Sequence, residues 1–164
     1  MNITFLGKPV TLVGETVNTG VKAPSFEVVN SDLEDVTINH QDKVKRIISV
    51  IPSIDTDVCD AQTQKFNNEV SRLGDIEVIT ISNDLPFAHK RWCSANLPDA
   101  TLVSDYKTGS FGQAFGVLIK ELGLLARSVF VIDSGGTIIH SEVVSEVSDH
   151  PDYERVILKA KEAK

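Results

Sequence analysis

The stretch Pro52-Ser53-Ile54-Asp55-Thr56-Asp57-Val58-Cys59 puts a thiol where a β-branched run, Arg46 to Ile51, gives way to a helical pattern beginning near Asp57 or Val58. Pro52 stops the run. A cysteine in the first turn of a helix faces unpaired N–H groups and the positive end of the helix dipole, so a thiolate is stabilised there and can act as a nucleophile. Phe66, Val70 and Leu73 fall within about 40° of Cys59 around the helix, on the core-facing stripe, which sets the sulfur at the bottom of a pocket. Ionisation alone is a small effect. A free thiol is roughly 3% thiolate at pH 7, so complete ionisation gains at most about 30-fold, against the ~10⁶-fold or more that enzymes commonly supply. The remainder must come from donors that align the electrophile and stabilise charge on the departing atom. The Thr56 hydroxyl, three residues before Cys59, is one such donor, and a guanidinium from elsewhere in the chain is the natural second.

The elements that must hold this junction can be read along the chain. Ile3-Thr4-Phe5 and Val10-Thr11-Leu12 alternate around a Gly7-Lys8-Pro9 turn, predicting an N-terminal hairpin. Val36 to Ile38 is a short strand, and the run ending at Ile51 has the pattern of a strand buried on both faces. The helix opening near Cys59 extends to about Leu73, where Gly74 can cap it. Ile76 to Ile81 is a second buried strand. Pro86 opens a helix to about Asn96, Thr101 to Val103 is a strand, and Ser110 to Gly116 is a short helix. Val129 to Ile132 and Ile138 to Val144 are strands joined by the Ser134-Gly135-Gly136 turn. A helix from Pro151 to Lys161 closes the chain, with Pro151 in its first turn. Strands alternating with helices, then a terminal hairpin and helix, predict an α/β fold: one thioredoxin-like domain over residues 1–164, a mixed central sheet flanked by helices on both faces, and an extra N-terminal β-hairpin.

Composition narrows the function classes. The 164 residues are 24% charged and 41% hydrophobic, as in an ordinary folded domain with one core. A net charge of -7, with no Lys/Arg block, argues against nucleic acid as a partner. No stretch approaches the ~18 apolar residues of a membrane span, and the first residues lack a basic region leading into an apolar run, so a soluble, cytoplasmic protein is expected. Two cysteines are too few for a disulfide framework. In a reducing compartment their pairing would be transient, and therefore catalytic or regulatory.

Pro52, Thr56 and Cys59 stand at the spacing P-x-x-x-T-x-x-C, which resembles the active-site motif of the peroxiredoxins. The block Ser82-Asn83-Asp84-Leu85-Pro86-Phe87-Ala88-His89-Lys90-Arg91-Trp92-Cys93 resembles one branch in particular, the bacterial thiol peroxidases, and Leu124 to Asp133 resembles the strand that carries that family's active-site arginine. The likeness covers essentially the whole chain. It implies an atypical two-cysteine, thiol-dependent peroxidase of antioxidant defence, needing no cofactor and no metal. Carried over by position, Cys59 is the peroxidatic nucleophile, Cys93 the resolving thiol, Pro52 a shield of the pocket, Thr56 a hydrogen-bond partner of thiolate and peroxide, and Arg127 the residue that stabilises the thiolate and polarises the substrate. The resemblance further implies a hydroperoxide substrate, an intramolecular Cys59–Cys93 disulfide, thioredoxin as reductant and a homodimer. With Cys59 at a helix start and Cys93 well along another helix, the two Cα atoms are not expected within the ~7 Å a disulfide requires, so local unwinding is expected in each cycle.

A cysteine in isolation is most often an inert core residue, and Arg127 could be a salt-bridged strand end, Thr56 only a helix cap and Pro52 only a strand terminator. A thiol–disulfide oxidoreductase is disfavoured by the absence of C-x-x-C, and a redox sensor would use the same pair without turnover. His40, His89, His140 and His150 lack metal-ligand spacing and are expected on the surface or in loops.

Overall fold

A computed structural model describes residues 2–164. In chain order the elements are β1 (Ile3–Phe5), β2 (Lys8–Val10), β3 (Leu12–Val13), β4 (Phe26–Val29), β5 (Asp35–Ile38), β6 (Lys45–Val50), α1 (Asp57–Ser71), β7 (Ile76–Ser82), α2 (Pro86–Asn96), β8 (Thr101–Ser104), α3 (Ser110–Phe115), β9 (Leu118–Ile119), β10 (Leu124–Leu125), β11 (Ser128–Ile132), β12 (Ile138–Val143) and α4 (Tyr153–Glu162). Seven strands form one mixed sheet in the order β12-β11-β6-β7-β8-β4-β5. β6, β7 and β8 run parallel, and β11, next to β6, runs against it.

The two faces of this sheet are covered differently because side chains alternate along each strand. Ile48, Val50, Ile79, Ile81, Phe130 and Ile132 point to the face closed by Phe111 and Phe115 of α3. On the opposite face Ile47, Val129 and Val131 meet Phe66 and Val70 of α1 and Val156 and Ala160 of α4. A third cluster joins α2 to the start of α1: Trp92 and Cys93 pack with Ile51, Ile54, Cys59 and Leu102. Burying each large side chain of this kind stabilises the fold by about 1.5–3 kcal/mol, and here that burial fixes where α1 and α2 begin.

The sequence reading departs from the structure in four places. The N-terminal hairpin turns at Leu6-Gly7, both at positive φ (51° and 78°), and pairs Ile3 with Val10. That is the two-residue turn whose twist suits a hairpin, so Pro9 lies within β2 and Leu12 starts a separate strand that pairs with β9. Strands β4, β9 and β10 were not anticipated. Pro151 precedes α4 rather than opening it: Asp152 is the N-cap, its carboxylate accepting from Arg155 N–H at 3.1 Å. Finally, His89 of α2 and His140 of β12 are buried within elements; His40 is buried too but lies in the turn after β5, as a loop residue, and His150 is exposed.

Candidate active site

β6 ends at Val50, and Ile51 N–H still donates to Ile81 O (3.0 Å) before buried Pro52 ends the pairing. The chain then turns into α1, whose N-cap is Thr56 in extended conformation, φ −106° and ψ 151°. Its hydroxyl accepts from Cys59 N–H at 3.4 Å and donates to Ser53 O at 3.3 Å. In this structure the threonine thus serves as the cap, and its proton is directed to a backbone carbonyl rather than to sulfur. Asp57 and Asp60 occupy the same first turn. These carboxylates share the positive helix end with Cys59, so the dipole, worth about 0.3–1 kcal/mol to an anion, cannot be the main support of a thiolate here.

That support comes from β11's leading edge. Arg127 directly precedes β11 and is 2% exposed, with Nη2 3.3 Å from Cys59 Sγ, which is itself fully buried. Nη1 donates to Gln62 Oε1 at 2.8 Å and Nε to Val147 O at 2.7 Å. None of these partners is a carboxylate. A buried cation is costly unless an anion faces it, and the one partner able to become an anion is the sulfur.

Each support of Arg127 is itself held. Gln62 Nε2 donates to Ser49 Oγ of β6 at 2.8 Å, which turns its carbonyl oxygen toward the guanidinium. Val147 is held by the N-terminal hairpin, its N–H donating to Thr4 O at 2.8 Å, while Thr4 N–H donates to Ser145 O at 2.8 Å. Gln62 was missed in the sequence, yet a signal exists: Cys59, Gln62, Phe66 and Val70 share one helical stripe, and a glutamine on a buried stripe must find a partner.

Cys93 is a free thiol, as is Cys59, and both are buried in the cluster of α2 and Leu102. Burial pushes the Cys93 thiol up from its ordinary pKa, so it stays protonated and weakly nucleophilic while α2 is packed. The structure therefore brings Pro52, Thr56, Cys59 and Arg127 together at one junction, with Cys93 in the adjoining cluster on the neighbouring helix.

Asp84, between β7 and α2, was also missed as a supporting residue. It accepts from Ser53 Oγ (2.8 Å), Ile54 N–H (2.8 Å) and Ser82 Oγ (2.6 Å). Burial alone would raise its pKa, but the His89 ring, Ser82, Ile54 and Ser53 together hold it down at about 2. A carboxyl whose folded pKa is depressed contributes stability above its unfolded value of 3.8, and that contribution is lost as pH falls toward 2. Acid titration followed by circular dichroism is expected to show about 2 kcal/mol of wild-type stability lost between roughly pH 4 and pH 2 that Asp84→Asn does not lose. Identical acid profiles would mean that the carboxylate is not stabilised in the fold.

The family model described as Redoxin matches residues 18–157. A thiol peroxidase of Listeria monocytogenes serotype 4b is 57% identical over 162 residues, 98% of each chain. A thiol peroxidase of Bacillus subtilis is 55% identical over 160 residues, 97% of this chain and 96% of that one. The crystal structure of a peroxiredoxin-like protein from Aquifex aeolicus superposes with a TM-score of 0.91 at 37% identity, covering 98% of this chain and 96% of its own.

Proposed function

This chain belongs to the Redoxin family, and within it to the thiol peroxidases, and from that premise we propose that Cys59 reduces hydrogen peroxide and organic hydroperoxides and is recycled through a disulfide with Cys93. The Cys59 thiolate attacks one oxygen of the hydroperoxide. The O–O bond breaks, the other oxygen leaves as water or an alcohol after taking up a proton, and sulfur is left as a sulfenic acid. Cys93 then attacks that sulfur, a disulfide forms and water departs. An external dithiol, for which thioredoxin is the proposed donor, supplies two electrons and two protons to restore both thiols.

The single observation that carries this reading is the buried Arg127 guanidinium aimed at Cys59 Sγ with no carboxylate among its partners. A fixed donor of this kind stabilises the thiolate before reaction and the charge that builds on the leaving oxygen during it. Thr56, exposed at the mouth, turns its hydroxyl proton from Ser53 O to the incoming peroxide, and buried Pro52 keeps bulk water off the sulfur. The raised pKa of packed Cys93 fits a resolving thiol that acts only once α2 opens.

Around this site the protein is proposed to work as a cytoplasmic homodimer in antioxidant defence. Support for the dimer comes from Leu85, Phe87 and Leu122, which are exposed, the Asn83 side chain holding the Gly123 carbonyl at 2.6 Å between them. No helix among the described residues is long and apolar enough to cross a membrane.

The test is peroxide consumption by the purified protein with thioredoxin and its reductase, which is expected to be catalytic. Cys93→Ser is expected to consume about one equivalent of peroxide per chain, leaving Cys59 as sulfenic acid, or about two where excess peroxide carries it on to sulfinic acid, and then to stop, the products being read by intact mass. Sustained thioredoxin-driven turnover by Cys93→Ser would exclude Cys93 as the resolving thiol.

A further inference from the structure

The two helices that carry the cysteines are tied together just ahead of them by polar contacts that peroxide chemistry at Cys59 does not use. Ahead of Cys59, Asp84 Oδ1 takes the Ser53 hydroxyl proton and Oδ2 takes the Ile54 N–H. Ahead of Cys93, the fully buried His89 of α2 reaches the same carboxylate through Ser82, its Nε2 lying 2.7 Å from Ser82 Oγ. A serine hydroxyl has one proton. With that proton donated in a hydrogen bond to Asp84, the Ser82 oxygen must accept from His89 Nε2–H, and among the described residues no partner meets Nδ1.

Two other contacts link the same segments. Trp92 Nε1 donates to Asp60 Oδ2 at 3.1 Å, and Arg91 pairs with Asp55 at 2.7 Å. The Arg91 pair is exposed on both sides and contributes little. Asp84, with its side chain only 11% exposed, is the buried anion that both segments share.

We propose that Asp84 is a positioning residue that latches the turn before Cys59 to the start of α2, and so sets how readily the packed site opens for Cys93 to reach Cys59. This rests on the disulfide reading above. Charge-assisted hydrogen bonds of this kind shift an equilibrium by roughly ten- to a hundredfold. The peroxide step depends on the packed fraction, which is close to one, whereas disulfide formation depends on the small open fraction. Loosening the latch therefore speeds the second step and spares the first. It also shortens the life of the sulfenic acid, the species that excess peroxide converts to sulfinic acid.

Stopped-flow fluorescence of Trp92, next to Cys93, can resolve the two steps as successive phases. Asp84→Ala is expected to speed disulfide formation about tenfold while changing the peroxide phase less than about threefold, and to raise the peroxide concentration that over-oxidises Cys59 about tenfold. Asp84→Asn should fall between, since one amide oxygen can still accept from Ile54 and Ser82. If Asp84→Ala does not fold, Asp84→Asn and Ser53→Ala carry the test, with smaller shifts in the same sense. Val156→Ala, in the α4 core, should lower Tm without moving the ratio of the two rates, which separates the latch from a general loss of stability. A ratio unchanged in the folded Asp84 and Ser53 variants, with the disulfide still forming, overturns the latch alone. Absence of a Cys59–Cys93 disulfide in oxidised wild type, read by intact mass, overturns the disulfide reading and the latch with it.

Discussion

Replacing Cys59 by serine is expected to abolish hydroperoxide turnover, a loss of about 10⁶-fold if the sulfur supplies the usual share of an enzyme's rate enhancement, while the fold survives. Serine is not ionised near neutral pH, and its oxygen is a poor nucleophile toward a second oxygen. It nevertheless keeps an acceptor for Arg127 Nη2, so the buried guanidinium retains all three of its hydrogen bonds. Cys93 cannot substitute. Its thiol is pushed up by burial, and the hydrogen bond it makes is to the Ala100 carbonyl at 3.8 Å, with no cation among the described residues facing it. Peroxide consumption and Tm measured on the same preparation check this expectation. Turnover within tenfold of wild type would move the nucleophile away from Cys59, whereas lost activity with an unfolded protein would leave the assignment to be read from Cys59→Ala.

What could be read in the sequence was whatever leaves a local signature. β6 and β7 are β-branched runs, α2 opens at Pro86, and Cys59 sits where a strand run ends and a helix pattern starts, so all of these were found near their true bounds. β9 and β10 are two residues long, and β3, β9 and β10 make their own small sheet. Strands that short carry no periodicity, and the pairings that define them come from the fold. The first hairpin was displaced because glycine and proline both signal turns, while here Leu6 and Gly7 take the positive φ angles and Pro9 fits within a two-stranded ribbon. Arg127 shows the same limit at the site. An arginine beside a buried strand looks like a strand-end charge, and only resemblance to a family connected it to a sulfur 68 residues away. No reading singles out Asp84, and His89 reads as a surface or loop residue, because Ser53 and Ile54 meet Asp84 only through the parallel pairing of β6 with β7.

Arg127→Ala is expected to slow the peroxide step by about 10²–10³-fold, the usual cost of deleting a preorganised donor to a developing charge, and to leave reduction of the disulfide by thioredoxin within about threefold of wild type. The asymmetry follows from the contacts. The guanidinium touches Cys59 Sγ in the packed state, where peroxide is proposed to be cleaved, and reduction of the disulfide is proposed to occur with that packing already opened. Alanine also leaves Val147 O and Gln62 Oε1 without a donor in the core, so a lower Tm is expected as well. Arg127→Lys separates the two effects. It returns a positive charge but not the planar fork that meets a carbonyl, an amide and a sulfur at once, so it should recover stability more fully than peroxide reactivity. Rapid-mixing rates for each half-reaction provide the check: equal slowing of both would show that Arg127 only supports the fold, and a larger effect on disulfide reduction would reverse its assigned role.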